Sequence, residues 1–324
     1  MRSSVGLLLE VLGGLLFVLA GALSYLGIVV PGAFGLALLL AGVATVVYAL
    51  RRPRGASAGA ALCLVGMVVV GAVASGGFAM EAPSTTLVFS ATRAQVPQSY
   101  LLLTARTSAG SIRVSYSADP SLAYRVTFRY AGGRRFFPSF TMVPKLTNSS
   151  SGDAFRLNLN GAGAEMEIVL GLRYVLNASL RTSAGNIYLD QDARAKVLSL
   201  DCTTDAGNVE IAAVTAPYIS CRSSAGNVDI DIEADSTTGS ASLSTRAGNI
   251  NLRLEADSSA AVWLLGATSM GSVIPPQAGG LLVLTNSGTE YEARTPDYFS
   301  VPTQFNVSCT SDLGNVVIGF SAAG

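Results

Sequence analysis

Beyond Met80 the chain alternates apolar and polar positions in short runs, each wrapped around a glycine. Two and four places after that glycine stand Ile112 and Val114, Ile187 and Leu189, Val209 and Ile211, Val228 and Ile230, Ile250 and Leu252, and Val316 and Ile318. Between the members of the first five pairs lie Arg113, Tyr188, Glu210, Asp229 and Asn251. A period of two with one apolar face marks a half-buried strand. Five places before the glycine the apolar series resumes with Ala105, Leu180, Cys202, Cys221, Leu243 and Cys309. The pattern predicts a β-arch: strand, tight turn and strand, both facing one core.

The turn itself recurs. Its copies are RTSAGSIRV from Arg106, RTSAGNIYLD from Arg181, TTDAGNVEI from Thr203, RSSAGNVDI from Arg222, STRAGNINL from Ser244, TSMGSVI from Thr268 and TSDLGNVVI from Thr310. The central residues are Gly110, Gly185, Gly207, Gly226, Gly248, Gly271 and Gly314, with intervals of 22, 19, 22 and 23 between Gly185 and Gly271. That period predicts a β-solenoid of about 22-residue rungs. Glycine suits a turn that needs positive φ, and Asn or Ser follows it in every copy. Stacked asparagines would form a ladder of amide hydrogen bonds along the axis. Gly163, 22 residues before Gly185, marks a degenerate rung over 161–170.

Apolar content is heaviest before Met80, in three stretches over 5–30, 33–50 and 57–79. Each is near the length of a helix that crosses a bilayer core of about 30 Å. Arg51, Arg52 and Arg54 lie between the second and third stretches, and basic loops stay cytoplasmic. The expectation is a three-span α-helical transmembrane anchor over 1–80 with a cytoplasmic N-terminus. An extracytoplasmic all-β domain follows over 81–324, with inserts near 124–160 and 275–302. Asn148, Asn177 and Asn306 begin N-x-S/T sequons in the outer part, where glycan acceptors belong. Glu10 sits within the first span. A carboxylate there is a functional candidate, though one that can snorkel to the nearby cytoplasmic end.

The repeated [ST]-x-x-G-N-[IV]-x-[LIV] units behind an N-terminal anchor resemble the putative-adhesin family of prokaryotic surface proteins. The resemblance covers roughly 86–324 and rests on the seven turns. It implies extracytoplasmic display, adhesion or scaffolding, and in some members regulation of envelope stress. It supplies no catalytic residues.

Charge is balanced, with 21 acids and 21 bases, which gives no reason to expect nucleic acid as a partner. The chain has no histidine, so histidine-based nucleophile systems and the commonest zinc ligand are excluded. The residue two places before the glycine is Ser108, Ser183, Asp205, Ser224, Arg246, Ser269 or Asp312, and an arginine in that series argues against turn-bound calcium. No metal and no cofactor are expected. Outward Glu210 and Asp229 should be neighbours, and Asp231 should face Arg253 one rung on. These acids form a solvated face, or one that weakly binds a cation or a partner.

Arg134, Arg135, Phe136, Phe137 and Phe140 combine cations and rings beside the hairpin signal Gly132-Gly133. They serve either as a cap on the stack or as a contact surface. Cys202 and Cys221 share one inward position in adjacent rungs, near enough for a disulfide but read as two buried thiols.

The whole describes a non-catalytic, membrane-anchored surface module, adhesin-like or an envelope scaffold. Its partners would be the lipid bilayer and a surface glycan or protein, with a membrane protein or a second copy also in view. A regulator that senses envelope state is the alternative, and a glycan-active enzyme a remote one.

Overall fold

The computed structural model describes residues 84–131, 143–192, 194–235, 238–277 and 280–322. The three expected spans, the 1–80 anchor with Glu10, and Arg134 to Phe140 lie outside them. Among the described residues no helix is long and apolar enough to cross a membrane. The described residues fall almost wholly in one compact unit, 86–130 with 142–322.

Alternation dictates the local structure. In Lys196–Ala206, Leu200, Cys202 and Thr204 are buried while Asp201 and Asp205 face solvent. In Val228–Ala234, Val228, Ile230 and Ile232 are buried in the same way. Strands before each glycine join an eleven-stranded sheet and strands after it join a ten-stranded one. Their inward side chains form a single cluster, from Leu103, Ile112 and Phe128 at one end to Leu264, Val307 and Ile318 at the other.

The expected solenoid resolves into two mixed sheets. Pairing is parallel through the repeats, as in Cys202 with Cys221 and Ile230 with Leu252. It turns antiparallel toward both ends. Leu122–Ala131 runs against Glu165–Gly171, Lys145–Ser151 against Ala154–Asn160, and the hairpin of Leu282–Asn286 and Glu290–Arg294 against Ala261–Met270. The segment 124–130 therefore pairs with the Gly163 arch. The Gly132-Gly133 hairpin signal implies strands over 124–130 and 135–142, and the second of these lies outside the described residues. Rings close the N-terminal end, with Phe89 edge-on to Phe128 at 6.0 Å and Tyr124 stacked on Phe155 at 5.9 Å.

Stacking does not follow chain order. In both sheets the arches run Gly163, Gly110, Gly185, Gly207, Gly226, Gly248, Gly314, Gly271. The Gly163 arch, expected between those of Gly110 and Gly185, lies outside the Gly110 arch, and the Gly314 arch is inserted before that of Gly271. Chain order alone would put Cys309 several rungs from the other thiols, and this stacking corrects that expectation: it is only two strands from Cys221, through Leu243.

The turns are held by two hydrogen-bond ladders. Each asparagine after the glycine accepts, at its side-chain oxygen, the backbone N–H of the next arch. Asn208, Asn227, Asn249, Asn315 and Ser272 donate to Asn186, Asn208, Asn227, Asn249 and Asn315 at 2.8 to 3.0 Å. The link is thus side chain to backbone, rather than the expected amide-to-amide ladder. A second ladder uses the buried hydroxyls three places before the glycine. Thr182, Thr204, Ser223, Thr245, Ser311 and Thr268 donate to the carbonyls of Gly110, Gly185, Gly207, Gly226, Gly248 and Gly314 at 2.8 to 3.0 Å. An unpaired buried carbonyl costs about 1–3 kcal/mol, so these hydroxyls permit the turn edge to be closed.

Cys202, Cys221 and Cys309 are free and buried. Contact with Cys221 and burial raise the Cys202 thiol well above its ordinary value, and burial pushes Cys309 up to about 12. The thiolate is the reactive form. Because all three are buried out of the reagent's reach, they should resist iodoacetamide at pH 8 in the folded protein and react fully in urea, as read by peptide mass mapping. A linked 202–221 peptide under non-reducing conditions would overturn the thiol assignment.

Candidate functional site

The outer face of the ten-stranded sheet carries the acids expected from the sequence. Glu210 pairs in register with Asp229, and Asp231 with Arg253, whose guanidinium lies 3.4 Å from the carboxylate. The Arg253 side chain is 74% exposed, so the pair contributes at most about 1 kcal/mol. Glu233 accepts a hydrogen bond from Thr215 at 3.2 Å. Among the described residues no group of three or more Cys, Asp or Glu side chains converges as a metal site.

Toward the N-terminal end the same face becomes a shallow depression of about 410 Å³ lined by Arg113, Arg129, Glu165, Glu167 and Tyr188. The Arg113 guanidinium sits 4.8 Å from the Tyr188 ring centroid, and Arg129 bonds Glu167 at 3.0 Å. Asn186 donates to the Tyr188 hydroxyl at 2.8 Å. Here each arginine already has a partner within the protein.

A different arrangement occupies the outer face of the eleven-stranded sheet, at its C-terminal end. Trp263 lies on Ala261–Met270, opposite Arg294 on one neighbour and Asn306 on the other. Tyr298 and Phe299 come from the expected insert over 275–302. The three rings meet edge to face, at 5.3 Å for Trp263 and Tyr298, 6.2 Å for Trp263 and Phe299, and 5.2 Å for Tyr298 and Phe299. Polar contacts fix them. Trp263 Nε1 donates to Glu292 at 3.1 Å, the Tyr298 hydroxyl donates to Asn306 at 2.7 Å, and the Arg294 guanidinium covers Phe299 at 4.3 Å.

Tyr298 is buried, but Phe299 is 68% exposed. An exposed apolar ring packed against Trp263, Tyr298 and the Arg294 guanidinium is equipped to stack on a ligand ring. The sequence had singled out the insert but not these side chains. The chain's single tryptophan was the available signal.

Of the sequon residues, Asn148, Asn177 and Asn306 are all exposed. Asn148 lies on the edge strand Lys145–Ser151 and also reaches the Tyr124 hydroxyl at 3.5 Å. The seven turn glycines all have positive φ, from 104° to 155°.

No protein-family model matches the chain, and neither does any curated protein. Solved structures similar to it include a putative cell adhesion protein from Clostridium sporogenes, at 13% identity and a TM-score of 0.46, covering 74% of this chain and all of the other. A putative adhesin from Bacteroides fragilis is similar at 14% identity and a TM-score of 0.33, covering 72% of this chain and 96% of its own. A third, a putative adhesin from Parabacteroides distasonis, is similar at 10% identity and a TM-score of 0.25.

Proposed function

We propose that this chain is a non-catalytic, membrane-anchored attachment module, its arches forming a short β-solenoid displayed outside the cell. The observation that carries this reading is Phe299, exposed yet held by Trp263, Tyr298 and Arg294. A ring so placed adds nothing to the core, and a fixed aromatic loses little conformational entropy on contact. The motif residues supply the scaffold: glycine bends the chain, asparagine and the hydroxyls join the arches, and the aliphatics fill the interior.

The test uses cells that display the full-length chain. Phe299→Ser should leave surface display unchanged and lower attachment about tenfold or more, the scale of a hot-spot residue. Attachment equal to the parent's, or a deletion strain that attaches normally but alters envelope-stress transcription, would move the assignment to the regulatory alternative.

A further inference from the structure

One outward column of the eleven-stranded sheet carries cations that the fold leaves unanswered. Lys145 stands opposite Asn160, Asn160 opposite Arg106, and Arg106 opposite Arg181. The column continues through Thr203 to Arg222. All four basic side chains are exposed. Among the described residues the ion pairs belong to Arg129, Arg194 and Arg253, and none of these four takes part. Asp201 and Asp205 flank Thr203 on the strand between Arg181 and Arg222, without reaching salt-bridge contact.

The cost of this row is specific. Arg106 and Arg181 are direct cross-strand neighbours on strands about 4.8 Å apart. Like charges in that relation destabilise a sheet. Nothing in the scaffold requires them, because the equivalent positions are Ser244 and Thr310 farther along. The adjoining outward column carries the hydroxyls of Thr104, Ser179 and Ser220, with Asp201 between the last two. Tyr218 stands 63% exposed on the same face, in the column that runs through Asn306 to Trp263.

We propose that this face binds a linear acidic polysaccharide laid along the stacking direction. Its carboxylates sit on Arg106, Arg181 and Arg222, and its sugar hydroxyls face Thr104, Ser179 and Ser220 in the adjoining column. Lys145 and Arg106, like Arg181 and Arg222, are two strand spacings apart, about 10 Å. A disaccharide of an extended chain has a similar length. Arginine's planar fork matches a carboxylate with two parallel hydrogen bonds, and serine and threonine hydroxyls match sugar hydroxyls. The inference rests on the attachment reading and adds the chemistry of what is attached to.

The experiment passes the full-length protein in detergent micelles over four matrices: polyuronate, neutral glucan, duplex DNA and phosphatidylserine vesicles. Retention is expected on polyuronate, falling away as salt rises toward about 0.5 M. An exposed ion pair is worth roughly twofold to fivefold in affinity, so Arg106→Gln, Arg181→Gln and Arg222→Gln together should weaken retention by on the order of tenfold or more. Lysine at the same three sites should restore part of it. All three side chains are exposed, so an unchanged far-ultraviolet spectrum is expected and checks the fold.

Three results overturn the proposal: no retention on polyuronate, retention at least as strong on DNA or vesicles, or a triple glutamine variant that binds like the parent. If polyuronate fails while displayed cells still attach through Phe299, the acidic ligand falls and the attachment reading stands.

Discussion

Cutting the full-length chain after Thr303 is expected to strip protection from the Gly271 arch while the arches from Gly185 to Gly226 keep theirs. Gln304–Leu313 lies between Gly239–Ala247 and Ala261–Met270, and Val316–Ala322 between Ile250–Ala256 and Val273–Ile274. Without them Ala261–Met270 retains only its antiparallel partner Glu290–Arg294, and Val273–Ile274 has no strand to pair with. The cut also removes Phe305, Val307, Cys309, Val316, Ile318 and Phe320 from the core. At about 1.5–3 kcal/mol for each large buried apolar side chain, the loss is on the order of 10 kcal/mol, an upper estimate. In a stack assembled in chain order the same cut would trim one end and nothing more. Hydrogen exchange reads the difference directly, and parent-level protection over 261–274 in the truncated chain would refute the inserted position of the Gly314 arch.

The second large effect is expected at Gly226. Its φ is +147°, and a Cβ there would collide with the Gly207 carbonyl oxygen and crowd the Asn208 side-chain oxygen at 3.1 Å. Both atoms are in use. The Gly207 carbonyl accepts the Ser223 hydroxyl at 2.9 Å, and the Asn208 oxygen accepts the Asn227 N–H at 2.9 Å. Gly226→Ala therefore adds a backbone clash to a strained conformation and loosens both ladders at once. A cost on the order of 3–5 kcal/mol follows. Gly288→Ala is the matched comparison. Its φ is +84° but no atom lies within 4 Å of the added methyl, so only the conformational cost of about 1–2 kcal/mol remains. Urea denaturation of the two variants should separate them clearly, and equal midpoints would mean that close stacking at the turn is not what requires glycine.

The sequence reads well wherever a residue's role follows from its own period. Ile187 and Leu189 face inward, Glu210 meets Asp229, and Asp231 meets Arg253, because strands repeat every two residues and central arches stack in succession. What it does not carry is an address for each arch. The turns are nearly alike, so nothing in RTSAGSIRV says that its neighbours will be the arches of Gly163 and Gly185. The column from Lys145 to Arg222 depends on that order and cannot be seen without it. The hydroxyl ladder was visible as a Ser or Thr three places before each glycine, but its acceptor belongs to another arch. Phe299 escaped for a different reason. It lies in an irregular stretch whose rings meet through turns rather than through a period.

The out-of-order stacking also has a consequence in time. During synthesis, the Gly248 and Gly271 arches emerge before residues 304–322, which must lie between them. Until those residues arrive, Gly239–Ala247 and Ile250–Ala256 present open strand edges, and such edges readily accept another chain. Closure of the stack therefore waits on a segment made after its neighbours on both sides, a non-local pairing of the kind that slows folding. That interval is when a second nascent copy can supply the missing strands, so crowding of newly made chains should favour exchanged dimers over monomers.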